Sequence, residues 1–392
     1  MKDQLKIAIY SGDIPSTTFI ERLIQGLSNT GNSIYLFGFV KKKTKYPDSV
    51  SVFGYQNTRL RKALHYLKYS FLLFCFKHKE KRKLDRILKG QSENVLLAKV
   101  KSYPVLWHKP DVFHVQWAKG LADWIWVQEF GMKLVLSLRG AHINYSPIAD
   151  EKLAAMYRAY FSKVDGFHAV SKAIGLEAEK YGAAKEKIHV VYSGLPFEEE
   201  KKTVAKHNEI FQIISVGRAH WKKGYTYALD ACNILKAQGH KFHYTIVGGT
   251  NDIEFAYQVH DLHLENEVRL IDNLPYAKVQ ALMQHADLLL LPSVEEGIAN
   301  VVLEAMQNKT LVLTTNCGGM DEVISDGVNG FIVPIRDSEA IATKISEIVA
   351  ITEVAKEAIR KKALHTIKKQ HSENQMVDQM LTLYQSIYHD QA

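Results

Sequence analysis

Two glutamates eight positions apart, and a pair of cations set between glycines, are the residues of this sequence whose types and spacing could do chemistry. The run Ser293-Val294-Glu295-Glu296-Gly297-Ile298-Ala299-Asn300 leads into the apolar-periodic stretch from Val301 to Met306, which places Glu296 in a loop and Glu304 about one turn inside a helix. Asn300 is the expected cap of that helix, and the free N–H groups of its first turn form an anion site. Upstream, Gly217-Arg218-Ala219-His220-Trp221-Lys222-Lys223-Gly224 opens a second helix near Tyr225. There Arg218 can fork two oxygens and Lys223 can supply a point charge, a combination that suits a diphosphate. A carboxylate repels a phosphate, so Glu296 and Glu304 beside an anion site suggest hydrogen bonds to hydroxyls, one on a sugar and one on a ribose. A third loop, Asn316-Cys317-Gly318-Gly319-Met320-Asp321-Glu322, has paired glycines that let backbone approach a ligand, with Glu322 starting a short helix. Each loop also has a plainer reading: solvated cations, a glutamate that serves the helix dipole, or a glycine-rich turn.

Residues of this kind need elements that hold them at strand ends, and the sequence supplies those elements. Short β-rich runs at 7–10, 34–39, 112–117, 134–138, 166–170 and 188–193 alternate with helical stretches such as 19–28 and 171–181. The series restarts at 211–217, 242–248, 268–271, 287–292, 310–315 and 330–334. Such alternation is the pattern of parallel sheets built from βαβ units, so the expected fold class is α/β with two Rossmann-like, doubly wound halves. Ligands of open α/β sheets bind beyond the C-terminal strand ends, where these loops lie. Residues 196–208 read as a charged linker, and 337–392 as consecutive helices, the last of which, about 372–389, is expected to cross back onto the first half. The expected domains are 1–195 with 373–392, and 196–372.

The composition fits this picture. At 392 residues the chain is long enough for two domains, and 46% hydrophobic with 23% charged residues is ordinary globular material. Cys75, Cys232 and Cys317 are too few and scattered for a disulfide framework or a CxxC metal site. The apolar runs at 69–76 and 286–292 fall far short of the roughly 20 residues needed to span a bilayer. Met1 to Gln4 runs straight into the strand-like LKIAIY, which leaves no room for a signal peptide, so the expected location is cytoplasmic. The net charge of +8 is local: between Arg59 and Lys101, 13 Lys/Arg stand against Glu80, Asp85 and Glu93, a net of +10 that leaves −2 elsewhere.

The motifs VGR…KKG, EEGIANVVLEAM with its Glu296-x7-Glu304 spacing, GGMDEVI and DGVNGFIVP follow one another between about 213 and 334. Together they resemble the donor domain of the retaining glycosyltransferases of family 4, which have the GT-B fold, two Rossmann-like domains facing a central cleft. The likeness extends more weakly into the first half through DVFHVQW, SLRGAHIN and GFHAVSKAIGLEAEKYGAAKEKIHVVYSG. It implies that Arg218 and Lys223 grip the diphosphate of a UDP- or GDP-sugar, with Gly217 in the same loop. It implies too that Glu296 binds sugar hydroxyls, Glu304 the ribose, and the backbone of Gly297, Ile298, Ala299, Asn300 and Val301 the sugar and phosphate. Gly318, Gly319 and Glu322 would line the same pocket, and the base would lie near 272–275. Fixed cations and a helix start stabilise a departing diphosphate, so no metal or other cofactor is expected. The absence of any Asp-x-Asp pair in the sequence agrees with that.

The acceptor is expected on the first half. Ser16-Thr17-Thr18-Phe19-Ile20 resembles the S-x-TFI variant of family members that act on surface polysaccharides, and Ser16, Thr17 and Thr18 are acceptor-side candidates. Arg139 stands where many members have a histidine, so Arg139 or His142 is expected near the reacting carbon or the β-phosphate, the alternatives being an ion-pair arginine and a packed loop histidine. His114 and Gln116 end a strand and are candidates to line the acceptor site, or packed strand-end residues. The segment 59–101 carries Leu60, Leu64, Leu67, Phe71, Phe74 and Phe76 among its cations. Such helices bind anionic lipid surfaces, which would suit a lipid-linked glycan acceptor and a peripheral place at the inner face of the cytoplasmic membrane. A core-packing helix and an oligomer contact are the alternatives, and no motif of nucleic-acid recognition accompanies the charge. The reading is a hexosyltransferase acting on a surface glycan. An epimerase or phosphorylase of the same fold and a non-catalytic nucleotide-sugar-binding protein are the other readings.

Overall fold

Strands such as Leu288–Leu291 and Leu311–Thr315 are apolar or hydroxyl-bearing at every position and buried at every position. That pattern belongs to parallel strands covered by helices on both faces. The computed structural model describes residues 4–91, 93–197, 210–250 and 252–389; most of the charged linker expected at 196–208 lies outside the described residues. The described residues divide into two units, one formed by 4–170, 174–194 and 373–389, the other by 171–173 and 195–372.

The first unit holds β1 (Lys6–Ile14), α1 (Thr18–Ser28), β2 (Ser33–Val40) and β3 (Val50–Val52). Three helices follow, α2 (Arg59–Phe76), α3 (His78–Gln91) and α4 (Val95–His108), and then β4 (Val112–Val115), β5 (Lys133–Leu138), β6 (Gly166–Ala169) and β7 (Ile188–Val190). Its seven strands run parallel in the order β3-β2-β1-β4-β5-β6-β7. Strand β1 outruns its apolar stretch: Ser11 to Ile14 remain strand because they keep pairing with β2 past an irregularity between Tyr10 and Gly12. The strand expected at 7–10 therefore extends to Ile14. One core layer gathers Phe113, Trp124, Tyr103 and Phe167; the other gathers Ile7, Ile9, Leu23 and Leu27. The helix Glu373–His389 belongs to this second layer, where Met380, Leu383 and Tyr384 are fully buried.

The second unit holds β8 (Phe211–Val216), β9 (Phe242–Val247), β10 (Val268–Ile271), β11 (Leu288–Leu291), β12 (Leu311–Thr315) and β13 (Phe331–Val333), parallel in the order β10-β9-β8-β11-β12-β13. In each sheet the strand order reverses once, between β1 and β4 in the first unit and between β8 and β11 in the second. At such a switch point adjacent connections leave in opposite directions and open a crevice at the strand ends. The loops singled out in the sequence follow β8, β11 and β12 in the second unit and β1, β4 and β5 in the first.

The basic segment folds as α2, α3 and α4, and each contributes to the core: Tyr69 and Leu73 from α2, Leu84 and Leu88 from α3, Tyr103 and Leu106 from α4. The opposite side of α2 is apolar as well. Leu60, Leu64, Leu67, Phe71, Phe74 and Phe76 are each between 57% and 72% exposed. Among the described residues no helix is long and apolar enough to cross a membrane.

Candidate functional site

At the switch point of the second sheet, the loop after β8 and the loop after β11 meet through an ion pair. Lys223 Nζ donates to Glu296 Oε1 at 2.6 Å, Ser293 Oγ donates to the same oxygen at 3.2 Å, and Lys222 Nζ lies 3.7 Å from Oε2. Glu296 is 8% exposed. Burial by itself raises its carboxyl, but the charges of Lys223 and Lys222 and the bonds from Lys223 and Ser293 outweigh that and hold it below the ordinary glutamate value. The site thus contains a fixed carboxylate flanked by two ammonium groups, with acceptor and donor atoms side by side.

Backbone contacts fix the loops that carry these groups. Val294 N donates to Lys222 O at 2.7 Å, and Gly319 N donates to Gly297 O at 2.8 Å, so the loops after β8, β11 and β12 form one surface. Two glycines permit this approach. Gly224 has φ +65° and a Cβ there would stand 1.9 Å from Pro292 O; Gly318 has φ +55° and a Cβ would stand 1.8 Å from Glu296 O. Any side chain at either position would separate the strand-end loops that hold Glu296.

The remaining sequence candidates in this unit fall into two groups. Gly217, Arg218, Gly297, Ile298, Ala299 and Gly318 lie on the same loops, Arg218 exposed and Gly297 and Ala299 buried, and Val301 is the second residue of the helix Asn300–Gln307. Glu304, 9% exposed on the helix Asn300–Gln307, accepts from Gln280 Nε2 at 3.3 Å. Two expectations are corrected. Asn300 does not cap that helix: it is the first helical residue, Ala299 holds the cap position, and no side chain caps there. Glu322 does not start a helix. It ends the one-turn element Met320–Glu322, and its carboxylate accepts the N–H groups of Lys172 and Ala173 at 2.9 and 3.0 Å, residues that cluster with this unit. Lys222 and Ser293 were not singled out from the sequence, since a second lysine and a serine in a loop carry no pattern. Their proximity to Glu296 is a tertiary fact.

In the first unit, the strand-end candidates join a buried chain of hydrogen bonds. Tyr384 Oη and His114 Nδ1 are 2.7 Å apart, His114 Nε2 and Ser137 Oγ 2.8 Å, Ser137 Oγ and His168 Nδ1 2.8 Å, and His168 Nε2 and Val191 O 3.0 Å. A carbonyl only accepts, so His168 carries its proton on Nε2 and Ser137 donates to its Nδ1. Having one proton, Ser137 must accept from His114 Nε2, and Tyr384 must donate to His114 Nδ1. Both imidazoles are neutral: burial, with a further push from nearby cationic groups, lowers His168 to about 3 and His114 well below its ordinary value. His114 is 0% exposed and has both nitrogens engaged, which is the geometry of a packed strand-end histidine. Gln116 is equally buried and accepts from Arg139 Nη2 at 3.0 Å. Arg139 lies over the Phe19 ring with its guanidinium carbon 4.6 Å from the centroid. His142, on the short helix Ala141–Asn144, has its ring 5.3 Å from that of Trp117. Thr17 and Thr18 are exposed at the start of α1, and Ser16 N donates to Glu21 Oε1 at 2.6 Å. Among the described residues no cluster of His, Cys, Asp or Glu is arranged to hold a metal ion.

Comparison with known proteins adds four findings. Residues 196–365 match the model of the family described as "Glycosyl transferases group 1". The putative colanic acid biosynthesis glycosyltransferase WcaL of Salmonella typhimurium is 28% identical over 239 residues, covering 59% of this chain and 59% of that protein. The amylovoran biosynthesis glycosyltransferase AmsK of Erwinia amylovora is 31% identical over 220 residues, covering 54% and 53%. The chain thus spans a little over half the length of these curated relatives. Among solved structures, Anabaena Alr3699/HepE in complex with UDP-glucose superposes with a TM-score of 0.70 at 17% identity, over 97% of this chain and 100% of that one. The fold class, two parallel-sheet Rossmann-like units, is that of the GT-B glycosyltransferases.

Proposed function

From a chain that carries a glycosyl transferases group 1 domain, we propose transfer of a hexose from a UDP- or GDP-sugar to a glycan acceptor, with retention of configuration and without a metal. The observation that carries this reading is the Lys223–Glu296 pair at the switch point of the second sheet. In the proposed reaction the second unit takes the donor. Glu296 accepts from sugar hydroxyls, and Glu304, one turn inside its helix, accepts from the ribose. Arg218 and Lys223, with the start of the helix Asn300–Gln307, stabilise negative charge on the diphosphate as the glycosidic C1–O bond to phosphate breaks. The acceptor oxygen bonds C1 on the face the phosphate leaves, and the acceptor proton passes to a departing phosphate oxygen, so charge and protons balance with no protein nucleophile. Glycine at 318 and 319 keeps backbone close to the sugar, and Glu322 acts at one remove, by fixing the loop that carries them.

The first unit takes the acceptor, with Ser16, Thr17 and Thr18 at its rim and Arg139 and His142 near the reacting atoms. Relatives named for colanic acid and amylovoran biosynthesis support a surface polysaccharide as the acceptor class. The exposed apolar side of α2, with the cations around it, supports a peripheral position on an anionic membrane, at the cytoplasmic face where a lipid-linked acceptor would be presented. The deciding experiment follows transfer of labelled sugar from UDP- and GDP-donors to a lipid-linked glycan fraction. Glu296→Gln and Lys223→Met should each lower turnover by at least about a hundredfold, in line with loss of a transition-state contact. Turnover near wild type in either folded variant would overturn the assignment.

A further inference from the structure

In the first unit a half-buried arginine, Arg139, stands without a carboxylate among the described residues. By contrast Arg360, a buried arginine of the second unit, lies against Glu353 and within 3.6 Å of Glu357. Arg139 has no such partner: among the described residues no Asp or Glu oxygen pairs with it. It donates one N–H to Gln116 Oε1, presents its flat face to Phe19, and keeps a buried Nε without a hydrogen-bond partner. Gln116, 0% exposed, likewise has its Nε2 buried without a partner. Burial lowers the guanidinium to about 9, and the neutral His114 and His168 nearby contribute no counter-charge.

A cation that keeps a buried donor unmet, beside a second unmet donor on Gln116, is completed by an anionic group that accepts from both. The position is one where a ligand is expected. Gln116 directly follows β4 and Arg139 directly follows β5, beside the reversal of strand order between β1 and β4. Phe19 belongs to the first turn of α1, whose partial positive charge adds to the guanidinium. The acidic residue of that turn, Glu21, is engaged elsewhere, accepting from Ser16 N and from Tyr46 Oη. The Gln116 carboxamide cannot reverse its role at Arg139, because only its oxygen can accept from a guanidinium. Its NH₂ is therefore held outward from that bond as a second donor.

We propose that Arg139 and Gln116 form an oxyanion-binding subsite of the first unit that selects an acidic acceptor, through the carboxylate of a uronic acid residue or the phosphate of a sugar phosphate. The proposal rests on the reading of the first unit as the acceptor side. A planar guanidinium fork matches either oxyanion, whereas the histidine found at this position in many members of the resembling family would bind it less firmly at neutral pH.

The test is isothermal titration of the full chain, without donor, with glucose, glucuronate and glucose 1-phosphate as probes. Glucuronate or glucose 1-phosphate should bind at least about tenfold more tightly than glucose, and added salt should weaken that binding. Whichever anion binds identifies the source. Arg139→Gln and Gln116→Leu should each remove the preference, and Lys361→Ala, an exposed lysine of the other unit, should not. Arg139→Lys, which keeps charge and loses the fork, should retain part of it and serves if Arg139→Gln does not fold. Equal binding of all three sugars, or an anion preference that survives Arg139→Gln or vanishes in Lys361→Ala, would overturn the subsite. Binding of UDP- and GDP-sugars is titrated in parallel. Its absence, with glucuronate binding intact, would count against the transferase reading and leave the subsite standing; the reverse result would reject the subsite alone.

Discussion

Lys223 and Glu296 illustrate how a pair that sequence motifs assign to a ligand also serves the protein without one. Removing Lys223 takes the shortest cationic contact from a buried carboxylate that keeps the more distant Lys222 and the Ser293 hydroxyl. Lys223→Met should therefore destabilise the chain by about 2–3 kcal/mol, and Lys222→Met by well under half as much, measured by urea denaturation at neutral pH. The pH dependence has a definite sign. Glu296 is held below its ordinary value of 4.5, so its contribution is complete above that pH and is lost as the pH falls below it through the folded-state value. The stability difference between wild type and Glu296→Gln should then be flat from about pH 5 to 8 and shrink in more acidic buffer; a difference that grew on acidification would refute the pairing. At this scale the sequence was informative where spacing along the chain encodes position, as for Glu296, Glu304 and Lys223. It was silent on the Tyr384–His114–Ser137–His168 chain, because those partners are 270, 23 and 31 positions apart and each is an ordinary residue of its own element. It misplaced Asn300, since the cap position is decided by where the backbone turns helical, one residue earlier than side-chain preference suggests.

Among the elements, α2 is the one whose composition resists a single assignment. Its sequence is apolar on two sides because Tyr69 and Leu73 face the core while Leu60, Leu64, Leu67, Phe71 and Phe74 repeat at alternating spacings of four and three on the exposed side. Both readings of this segment made from the sequence, a core-packing helix and an exposed amphipathic one, describe one of its sides. Self-association through that stripe would bring like charges together, since α2 has Arg59, Arg61, Lys62 and Lys68 and no acidic residue. An anionic bilayer meets both the apolar and the cationic requirement. Co-sedimentation with phosphatidylglycerol vesicles should exceed that with phosphatidylcholine by at least about tenfold, and Leu64→Ser/Phe71→Ser/Phe74→Ser should abolish it. Equal sedimentation with both lipids, or a concentration-dependent dimer that the triple variant dissolves, would favour the oligomer contact instead. Strand positions were legible to within a few residues because most of the parallel strands are short, predominantly apolar runs. The exceptions are β3, a three-residue edge strand, and the end of β1, whose polar residues are strand only because β2 pairs with them.

For the molecule as a whole, the division into two sheets was legible from the repeated alternation of strands and helices, and each sheet's reversal of strand order explains why the chemically informative loops lie where they do. A donor that binds only the native state raises the melting temperature by mass action. A UDP- or GDP-sugar at about a hundred times its dissociation constant should raise it by several degrees, and EDTA should leave that shift unchanged; a shift that requires added magnesium or manganese would reject metal independence. The base preference was not legible in the sequence, because backbone atoms, which can make base contacts, leave no residue signature.

The helix Glu373–His389 gives the two units different histories during synthesis. The second unit is contiguous apart from three residues, so its sheet can close as soon as residue 372 has left the ribosome. The first unit is translated earlier yet must wait longer. Until that last helix arrives, the surface that will receive Met380, Leu383 and Tyr384 stays uncovered, and His114 lacks the hydroxyl that fixes its tautomer. Each of those large side chains contributes about 1.5–3 kcal/mol on burial, and together they rival the net stability of a domain. The half of the protein made first is therefore the half completed last.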